Sequence, residues 1–174
     1  DGVTEAWMRP LESVFPNRSA GDAPMPVTVP LYRTRETRAP AVKAAKPRVF
    51  IPVFPGTNCE YDTARAFQRA GAETEVLVVR NLSAAAIEET IGRMEAAVRR
   101  AQIVMLPGGF SGGDEPDGSG KFIATTFRNP RLADAVAELL QKRDGLMLGI
   151  CNGFQALIKL GLVPYGEIRP MDGD

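Results

Sequence analysis

Short apolar runs alternate along the chain with stretches of helical character, and this alternation limits the folds that the chain can adopt. Four runs rich in β-branched and aliphatic residues indicate buried strands: RVFIPVF at 48–54, TEVLVV at 74–79, QIVMLP at 102–107 and GLMLGI at 145–150. Strands that alternate with helices favour a parallel sheet covered by helices on both faces. We therefore predict an α/β fold. Because four strands make a small sheet of this kind, we expect further strands after residue 174.

Helix signals occupy the segments between these runs. Thr57 and Glu60 have the spacing of a capping box, Gly71 marks the end of that helix, and Ser83 is placed to cap the next one. A third helix is predicted to begin at 129–130, where proline follows asparagine. The apolar spacing predicts a buried stripe on the second helix (Ile87, Ile91, Met94 and Val98) and another on the third (Leu132, Val136, Leu139 and Leu140).

The first 47 residues differ in character from the rest. They hold half of the 14 prolines, and the basic stretch before residue 48 shows no apolar periodicity. Proline favours extended backbone, so we interpret 1–47 as a proline-rich linker from a preceding domain and 48–174 as the globular part. The chain starts without methionine and stops at MDGD. We therefore expect it to be a piece of a longer polypeptide.

Composition argues against several classes of function. The net charge is zero and the pI is about 6.6, so we expect neither a nucleic-acid partner nor a membrane-surface partner. The sequence has no apolar run long enough to span a bilayer and no signal peptide at its start. Two cysteines do not make a disulfide framework, which favours a reducing, cytoplasmic location.

Cys151 stands in G-I-C-N-G, between the fourth apolar run and a helical stretch. Gly149 and Gly153 leave room for a tight turn, as in a nucleophile elbow with sulfur in place of oxygen. The amino end of the following helix favours a thiolate, and the N–H of Asn152 is placed to donate to an oxyanion beside the sulfur. A small buried cysteine is the ordinary alternative, but the glycine frame favours a nucleophile.

A glycine-rich loop, LPGGFSGGDEPDGSG, follows the third run. The carboxyl ends of parallel strands share one edge of the sheet, so we expect this loop to lie near Cys151. Gly108 and Gly109 can direct backbone N–H groups at an anion, which would complete the nucleophile and oxyanion cradle of acyl transfer. The alternatives are a flexible turn and, for DEPDG, a metal site. Its spacing does not match a calcium loop, and we predict no metal.

The absence of histidine and the presence of a second cysteine both bear on the hypothesis that Cys151 is a nucleophile. The chain contains no histidine, the side chain that most often activates a nucleophilic thiol. The other cysteine, Cys59 in PGTNCEYD, lies between the first run and a helix but lacks a following glycine at the elbow spacing. We interpret Cys59 as structural or as a wall of the pocket rather than as a second nucleophile.

Three motifs carry a resemblance to a known family. G-I-C-N-G-F-Q resembles the nucleophile motif of class I, triad-type glutamine amidotransferases. FIPVFPGTNCEYDTARAFQRAGAE and LPGGFSGGDEPDGSGKFI narrow the resemblance to the glutaminase domains of phosphoribosylformylglycinamidine synthases, and in particular of their long single-chain form. The similarity runs from about residue 48 to the last residue. It implies a flavodoxin-like sheet that is incomplete at the C-terminus, with 1–47 as the connection from synthetase domains.

The resemblance also implies a role for each matching residue. Cys151 would attack the side-chain amide of glutamine, form a glutamyl thioester and release ammonia. Gly109 and Asn152 would hold the oxyanion through their N–H groups. The residues that would contact glutamine are Gln155, which would orient it, and Phe110 and Ser111, which would line the pocket. Ammonia would pass to synthetase domains of the same polypeptide, which use ATP with magnesium in purine biosynthesis; this chain itself would hold no cofactor.

The resemblance implies a catalytic histidine and a carboxylate partner further along the chain than the elbow, and we expect both to lie beyond residue 174. Glu167 and Asp172 match no such motif. We therefore expect the chain alone to have little or no glutaminase activity. Two alternatives stay open: a cysteine-elbow hydrolase or stress-response protein of the DJ-1 type, and a docking module in which the elbow survives without catalysis. Gln155 and the glycine-rich loop favour the glutaminase, whereas the lack of histidine favours the docking module.

Overall fold

The computed structural model describes three stretches of the chain, residues 2–15, 39–110 and 120–169. By its internal contacts the chain divides into two units, Asp1–Arg38 and Ala39–Asp174. The predicted linker boundary at residue 47 stays a prediction.

The first unit contains helix α1 (Gly2–Met8) and a 3-10 turn over Arg9–Leu11. Its large apolar side chains are exposed in the described stretch: Val3, Trp7, Met8, Leu11, Val14 and Phe15. The described part of this unit therefore buries no apolar core of its own.

The second unit alternates strands and helices as the sequence predicts. Its strands are β1 (Arg48–Val53), β2 (Glu73–Val78), β3 (Ile103–Leu106) and β4 (Leu146–Gly149). Its helices are α2 (Glu60–Arg69), α3 (Ala84–Arg100), α4 (Lys121–Phe127), α5 (Pro130–Gln141), α6 (Asn152–Leu160) and α7 (Leu162–Tyr165). The sequence pattern did not predict α4 and α7, which are too short to show a helical period. Within the described residues, no helix is long and apolar enough to cross a bilayer.

The four strands form one parallel sheet in the order β2-β1-β3-β4. This order matches the first four strands of a flavodoxin-like, doubly wound sheet. The predicted fold class is therefore confirmed. In such a sheet the order reverses beside β1, so the loops after β1 and β3 lie next to each other at the carboxyl edge.

The two faces of the sheet are covered unequally. One face carries Phe50, Val104 and Leu106 and packs on α3, α4, α5 and α6. The other carries Val49, Ile51 and Met105 and packs on α2. Beyond the reach of α2, apolar side chains at both ends of this second face are exposed: Val76, Val78, Leu146, Leu148 and Ile150.

The helix ends confirm some sequence predictions and correct others. The Ser83 hydroxyl accepts a hydrogen bond from the Ala86 N–H (3.2 Å), and the Asn129 side chain caps α5, both as predicted. The predicted capping box is wrong. Cys59, not Thr57, is the N-cap of α2, and its side chain makes no capping hydrogen bond. Thr57 is instead part of the preceding turn, where its hydroxyl accepts from the Phe54 N–H (3.0 Å).

The predicted buried stripes are largely correct. Ile91, Met94 and Val98 of α3 are buried, but Ile87 is 44% exposed, so its assignment was wrong. It lies in the first turn of α3, within four residues of the Ser83 cap. On α5, Leu132, Val136 and Leu139 are buried, and Leu140 is half-buried against the same core.

Charged side chains join α3 to α5 on the outer surface. Glu95 accepts from Arg99 (3.1 Å) on its own helix and from Arg131 (2.7 Å) on α5. Hydrogen bonds from Arg131 and then Arg99 hold the pKa of Glu95 below its usual range. At the end of α3, the guanidinium of Arg143 donates to the carbonyls of Val98 and Ala101, both at 2.8 Å. Arg143 thereby caps the C-terminus of α3.

Candidate active site

Cys151 lies at a sharp turn between β4 and α6. Its backbone has φ 51° and ψ −111°, a conformation that non-glycine residues rarely adopt, and the residue is exposed. It is the N-cap of α6, where the amide protons of the first helical turn favour an anion. The structure thus confirms the predicted sharp turn, with an exposed cysteine at the start of a helix, whereas the role of Cys151 as a nucleophile stays a prediction.

Two glycines make this turn possible, as predicted. A Cβ built on Gly149 would lie 2.6 Å from the carbonyl carbon of Gly153. A Cβ on Gly153 would lie 2.0 Å from the carbonyl oxygen of Leu106 in β3. In both cases the obstacle is backbone, which cannot move aside as a flexible side chain can. The first turn of α6 therefore packs directly on the strands, and this packing fixes the position of Cys151.

The diglycine segment lies against the elbow. A Cβ on Gly108 would be 3.4 Å from the Cys151 Cβ and 3.6 Å from the Ile150 carbonyl oxygen. Gly109 has φ 126°, a value that excludes most side chains. The expected meeting of the β3 and β4 loops at one edge of the sheet is therefore confirmed, although the roles of these residues stay predictions.

A third loop also meets the diglycine, and the sequence pattern linked only its Cys59 to the site, as a possible wall of the pocket. Phe54–Thr57 is a β-turn closed by the Thr57 N–H and the Phe54 carbonyl (2.8 Å), with Gly56 at φ 88°. After it, the Asn58 N–H donates to the Gly108 carbonyl (2.8 Å), and the Phe110 N–H donates to the Gly56 carbonyl (2.9 Å). The Pro-Gly pair is the sequence signal of a type II turn, and its place after β1 indicates this edge of the sheet.

The remaining predicted site residues are placed as follows. The Asn152 side chain is 1% exposed, and its Nδ2 donates to Oε1 of Gln155 at 3.4 Å. Gln155 is exposed one helical turn after Cys151, and Phe110 is 60% exposed. Ser111 and the DEPDG run fall in 111–119, outside the described residues, so their roles stay predictions.

Cys59 is exposed, and its interpretation as structural or as a wall of the pocket stays a prediction. It shares one feature with Cys151: each is the N-cap of a helix with a positive φ, 67° for Cys59. Its surroundings differ, because α2 begins without the glycine frame that opens α6.

Other possible binding features lie away from the elbow residues. Cavities of about 210 Å³ and 300 Å³ flank α5, and Cys151 lines neither of them. Across the described stretches, no group of three or more His, Cys, Asp or Glu side chains is arranged to hold a metal ion. The elbow and the two loops beside it bring an exposed cysteine and the backbone of the diglycine together at one edge of the sheet, the kind of arrangement that acyl transfer needs.

Comparison with known proteins identifies the family. A sequence model of the CobB/CobQ-like glutamine amidotransferase domain matches residues 46–173, about three quarters of the chain. The chain belongs to this glutamine amidotransferase family. The match includes the loops after β1, β3 and β4, and it favours the amidotransferase interpretation over a protein of the DJ-1 type.

Individual relatives agree with this assignment. The phosphoribosylformylglycinamidine synthase subunit PurQ of Methanococcus maripaludis is 41% identical over 126 residues, 70% of this chain and 42% of that protein. The PurQ of Dehalococcoides mccartyi is 37% identical over 120 residues, 69% of this chain and 42% of that protein. The chain thus spans less than half the length of these relatives.

Among solved structures, this chain is similar to one chain of the PurLQS structure from Thermotoga maritima. The sequence identity is 31%, the TM-score is 0.47, and the match covers 67% of this chain and 45% of that chain.

Proposed function

We propose that this chain is the nucleophile-bearing part of the glutaminase of a phosphoribosylformylglycinamidine synthase, an enzyme of purine biosynthesis. The exposed thiol of Cys151, in a strained turn at the start of α6 and beside Gly108, is the observation that carries the proposal. The names of the relatives support the substrate class, since both are subunits of that synthase.

In the proposed reaction, the Cys151 sulfur attacks the side-chain amide carbon of glutamine. The C–N bond breaks, the amide nitrogen takes up the proton that the thiol gave up and leaves as ammonia, and a glutamyl thioester forms; water then hydrolyses the thioester to glutamate and frees the thiol. The N–H groups of Gly109 and Asn152 would stabilise the tetrahedral oxyanion. Gln155 would orient the substrate through its exposed amide, and Phe110 and Ser111 would line its pocket.

Proton transfer to the departing ammonia is most often served by histidine. The chain has no histidine, and a cysteine nucleophile normally depends on one. We therefore propose that the histidine and its acidic partner belong to a part of the polypeptide after residue 174, and that this chain alone has little activity. β4 is one of the two edge strands of the described sheet, and its exposed apolar side chains, Leu146 and Leu148, support further packing there.

We propose further that this glutaminase belongs to the long single-chain form of the synthase. Residues 1–47 would connect the glutaminase to synthetase domains of the same polypeptide, which hold ATP and magnesium and receive the ammonia. The exposed apolar side chains of α1 are compatible with a surface that packs on another domain. We expect this protein to act in the cytoplasm and to bind neither nucleic acid nor membrane.

The test uses the full-length polypeptide. Supplied with glutamine, the formylglycinamide nucleotide, ATP and magnesium, it should form glutamate, and Cys151→Ser should abolish this. Cys59→Ser is the matched control, because it removes the other exposed thiol at a helix N-cap. A glutamine-mimicking alkylating agent should label Cys151 in peptide mapping, and preferential labelling of Cys59 would refute the assignment.

A non-catalytic docking module is the second candidate, and the absence of histidine favours it. If the full-length protein forms no glutamate with all substrates present, the docking module replaces the glutaminase. A histidine followed closely by glutamate or aspartate after residue 174 would favour catalysis instead.

A further inference from the structure

The turn after β1 is a rigid element built by its own sequence. Pro55 and Gly56 occupy the central positions of a type II turn, and Gly56 supplies the required positive φ of 88°. Thr57 closes the turn twice. Its N–H donates to the Phe54 carbonyl (2.8 Å), and its hydroxyl accepts from the Phe54 N–H (3.0 Å). The turn therefore presents Gly56 and Asn58 to the neighbouring loop in one fixed orientation.

This turn holds the diglycine from both sides of Gly109. The Asn58 N–H donates to the Gly108 carbonyl (2.8 Å), and the Gly56 carbonyl accepts from the Phe110 N–H (2.9 Å). The approach is close, because a Cβ on Gly109 would lie 2.3 Å from the Gly56 carbonyl oxygen and 2.7 Å from the Asn58 nitrogen. Two hydrogen bonds and a backbone contact thus fix a segment whose glycines would otherwise be free to rotate.

The hydrogen bond to the Gly108 carbonyl also sets the direction of the Gly109 N–H. These two groups belong to one trans peptide unit, so they point in opposite directions. β1 and β4 lie on opposite sides of β3. A carbonyl held toward the β1 loop therefore turns the N–H toward the β4 loop, where Cys151 lies. No described residue accepts a backbone hydrogen bond from this N–H.

We propose that the Phe54–Asn58 turn positions the oxyanion-binding peptide, with Asn58 and Thr57 as positioning residues. This inference rests on the proposed glutaminase function. Asn58 acts through its backbone N–H and Thr57 through its hydroxyl; neither contacts the reacting atoms. Without this restraint, rotation of the 108–109 peptide would present a carbonyl oxygen to the developing oxyanion. Losing one oxyanion donor lowers kcat by about 10²–10³-fold.

The principal test compares Asn58→Pro with Asn58→Ala in the full-length protein. Proline removes the N–H that holds the Gly108 carbonyl, whereas alanine keeps it and removes only the side chain. We expect Asn58→Pro to lower kcat for glutamine hydrolysis by about 10²-fold with little change in KM, and Asn58→Ala to retain kcat within about threefold.

A second readout separates positioning from general damage. Alkylation of Cys151 by iodoacetamide needs a thiolate but no oxyanion site, so its rate should be unchanged in Asn58→Pro. Loss of glutaminase turnover together with normal alkylation supports the proposal. Normal turnover in Asn58→Pro overturns it. Wild-type protein that forms no glutamate would instead contradict the proposed function.

If Asn58→Pro fails to fold, or if its Cys151 is alkylated slowly, a second pair of variants tests the same proposal. Thr57→Val is close in shape to threonine but lacks the hydroxyl that accepts from the Phe54 N–H, and Thr57→Ser keeps it. We expect kcat to fall by about tenfold or more in Thr57→Val, with Cys151 alkylation unchanged, and to be restored in Thr57→Ser. Equal kcat values in the two variants would overturn the proposal.

Discussion

Gly153→Ala tests the packing that places the nucleophile. A Cβ at this position would lie 2.0 Å from the Leu106 carbonyl oxygen and 2.8 Å from the Leu106 Cβ. The first turn of α6 would have to move from β3 by roughly 1.4 Å to restore an ordinary contact. Inserting one extra methyl group into a packed core lowers stability by about 1–3 kcal/mol. Because the obstacle here is backbone, we expect a loss near the upper end of this range. Alanine has a higher helix propensity than glycine, which offsets this loss by about 1 kcal/mol. The net loss of stability should be about 1–2 kcal/mol.

Gly92→Ala in α3 is the matched control. It makes the same substitution within a helix, but its Cβ would meet only a guanidinium nitrogen of Arg131, at 3.3 Å. This flexible side chain can move, so the variant should be more stable than wild type by about 0.5–1 kcal/mol. The free energy of unfolding should be measured by urea titration followed by far-UV circular dichroism. Tryptophan fluorescence is less suitable, because Trp7 is 84% exposed and reports poorly on the core.

The two substitutions should therefore change stability in opposite directions. Equal or greater stability of Gly153→Ala would show that α6 does not pack on β3 as closely as described. In the full-length protein, a shift of about 1 Å at Cys151 should also reduce glutamine hydrolysis by about 10²-fold.

Three further predictions concern helix ends and charges. Ser83→Ala removes the N-cap of α3 and should cost about 1 kcal/mol in urea unfolding, while Ser83→Asp should cost much less; equal losses would contradict a capping role. Arg143→Met removes the two hydrogen bonds that cap the end of α3 and should cost about 1–3 kcal/mol, and a loss below about 0.5 kcal/mol would argue against the cap. Arg131 and Arg99 lower the pKa of Glu95 on folding, so the stability they provide is present at neutral pH and is lost as pH falls through the lowered folded pKa. Glu95→Gln should therefore be less stable than wild type at pH 7, and the difference should shrink in acid thermal melts; a difference independent of pH would refute this.

The sequence predicted the scaffold because its signals are local. A run such as RVFIPVF indicates a strand without knowledge of its neighbours, and the Ser83 cap depends on residues within one helical turn. The glycines around Cys151 likewise indicate a tight turn, since their spacing is itself the steric requirement. Short helices could not be predicted in this way. Helix α4 has only seven residues, too few to show a helical period of apolar residues, and Ile123 and Phe127 pack it into the core.

Thr57 shows how one local pattern can override another. Its spacing from Glu60 satisfies the capping-box rule, but its hydroxyl is already used by the Phe54 N–H within the turn. Thr57 is thereby held in the turn, and α2 begins after Cys59 instead. The local turn therefore prevailed over the helix cap.

The sequence by itself determined the alternation of strands and helices, the elbow at Cys151 and the glycines that the elbow needs, since each depends on residues close in the chain. The sequence also predicted that the loops after β3 and β4 meet, but only the tertiary structure showed how the loop after β1 contacts the diglycine. The strand order puts β3 between β1 and β4, so Asn58 and Cys151 approach the diglycine from opposite sides. The orientation of the Gly109 N–H follows from a hydrogen bond between residues 50 positions apart, and no local pattern encodes such a contact.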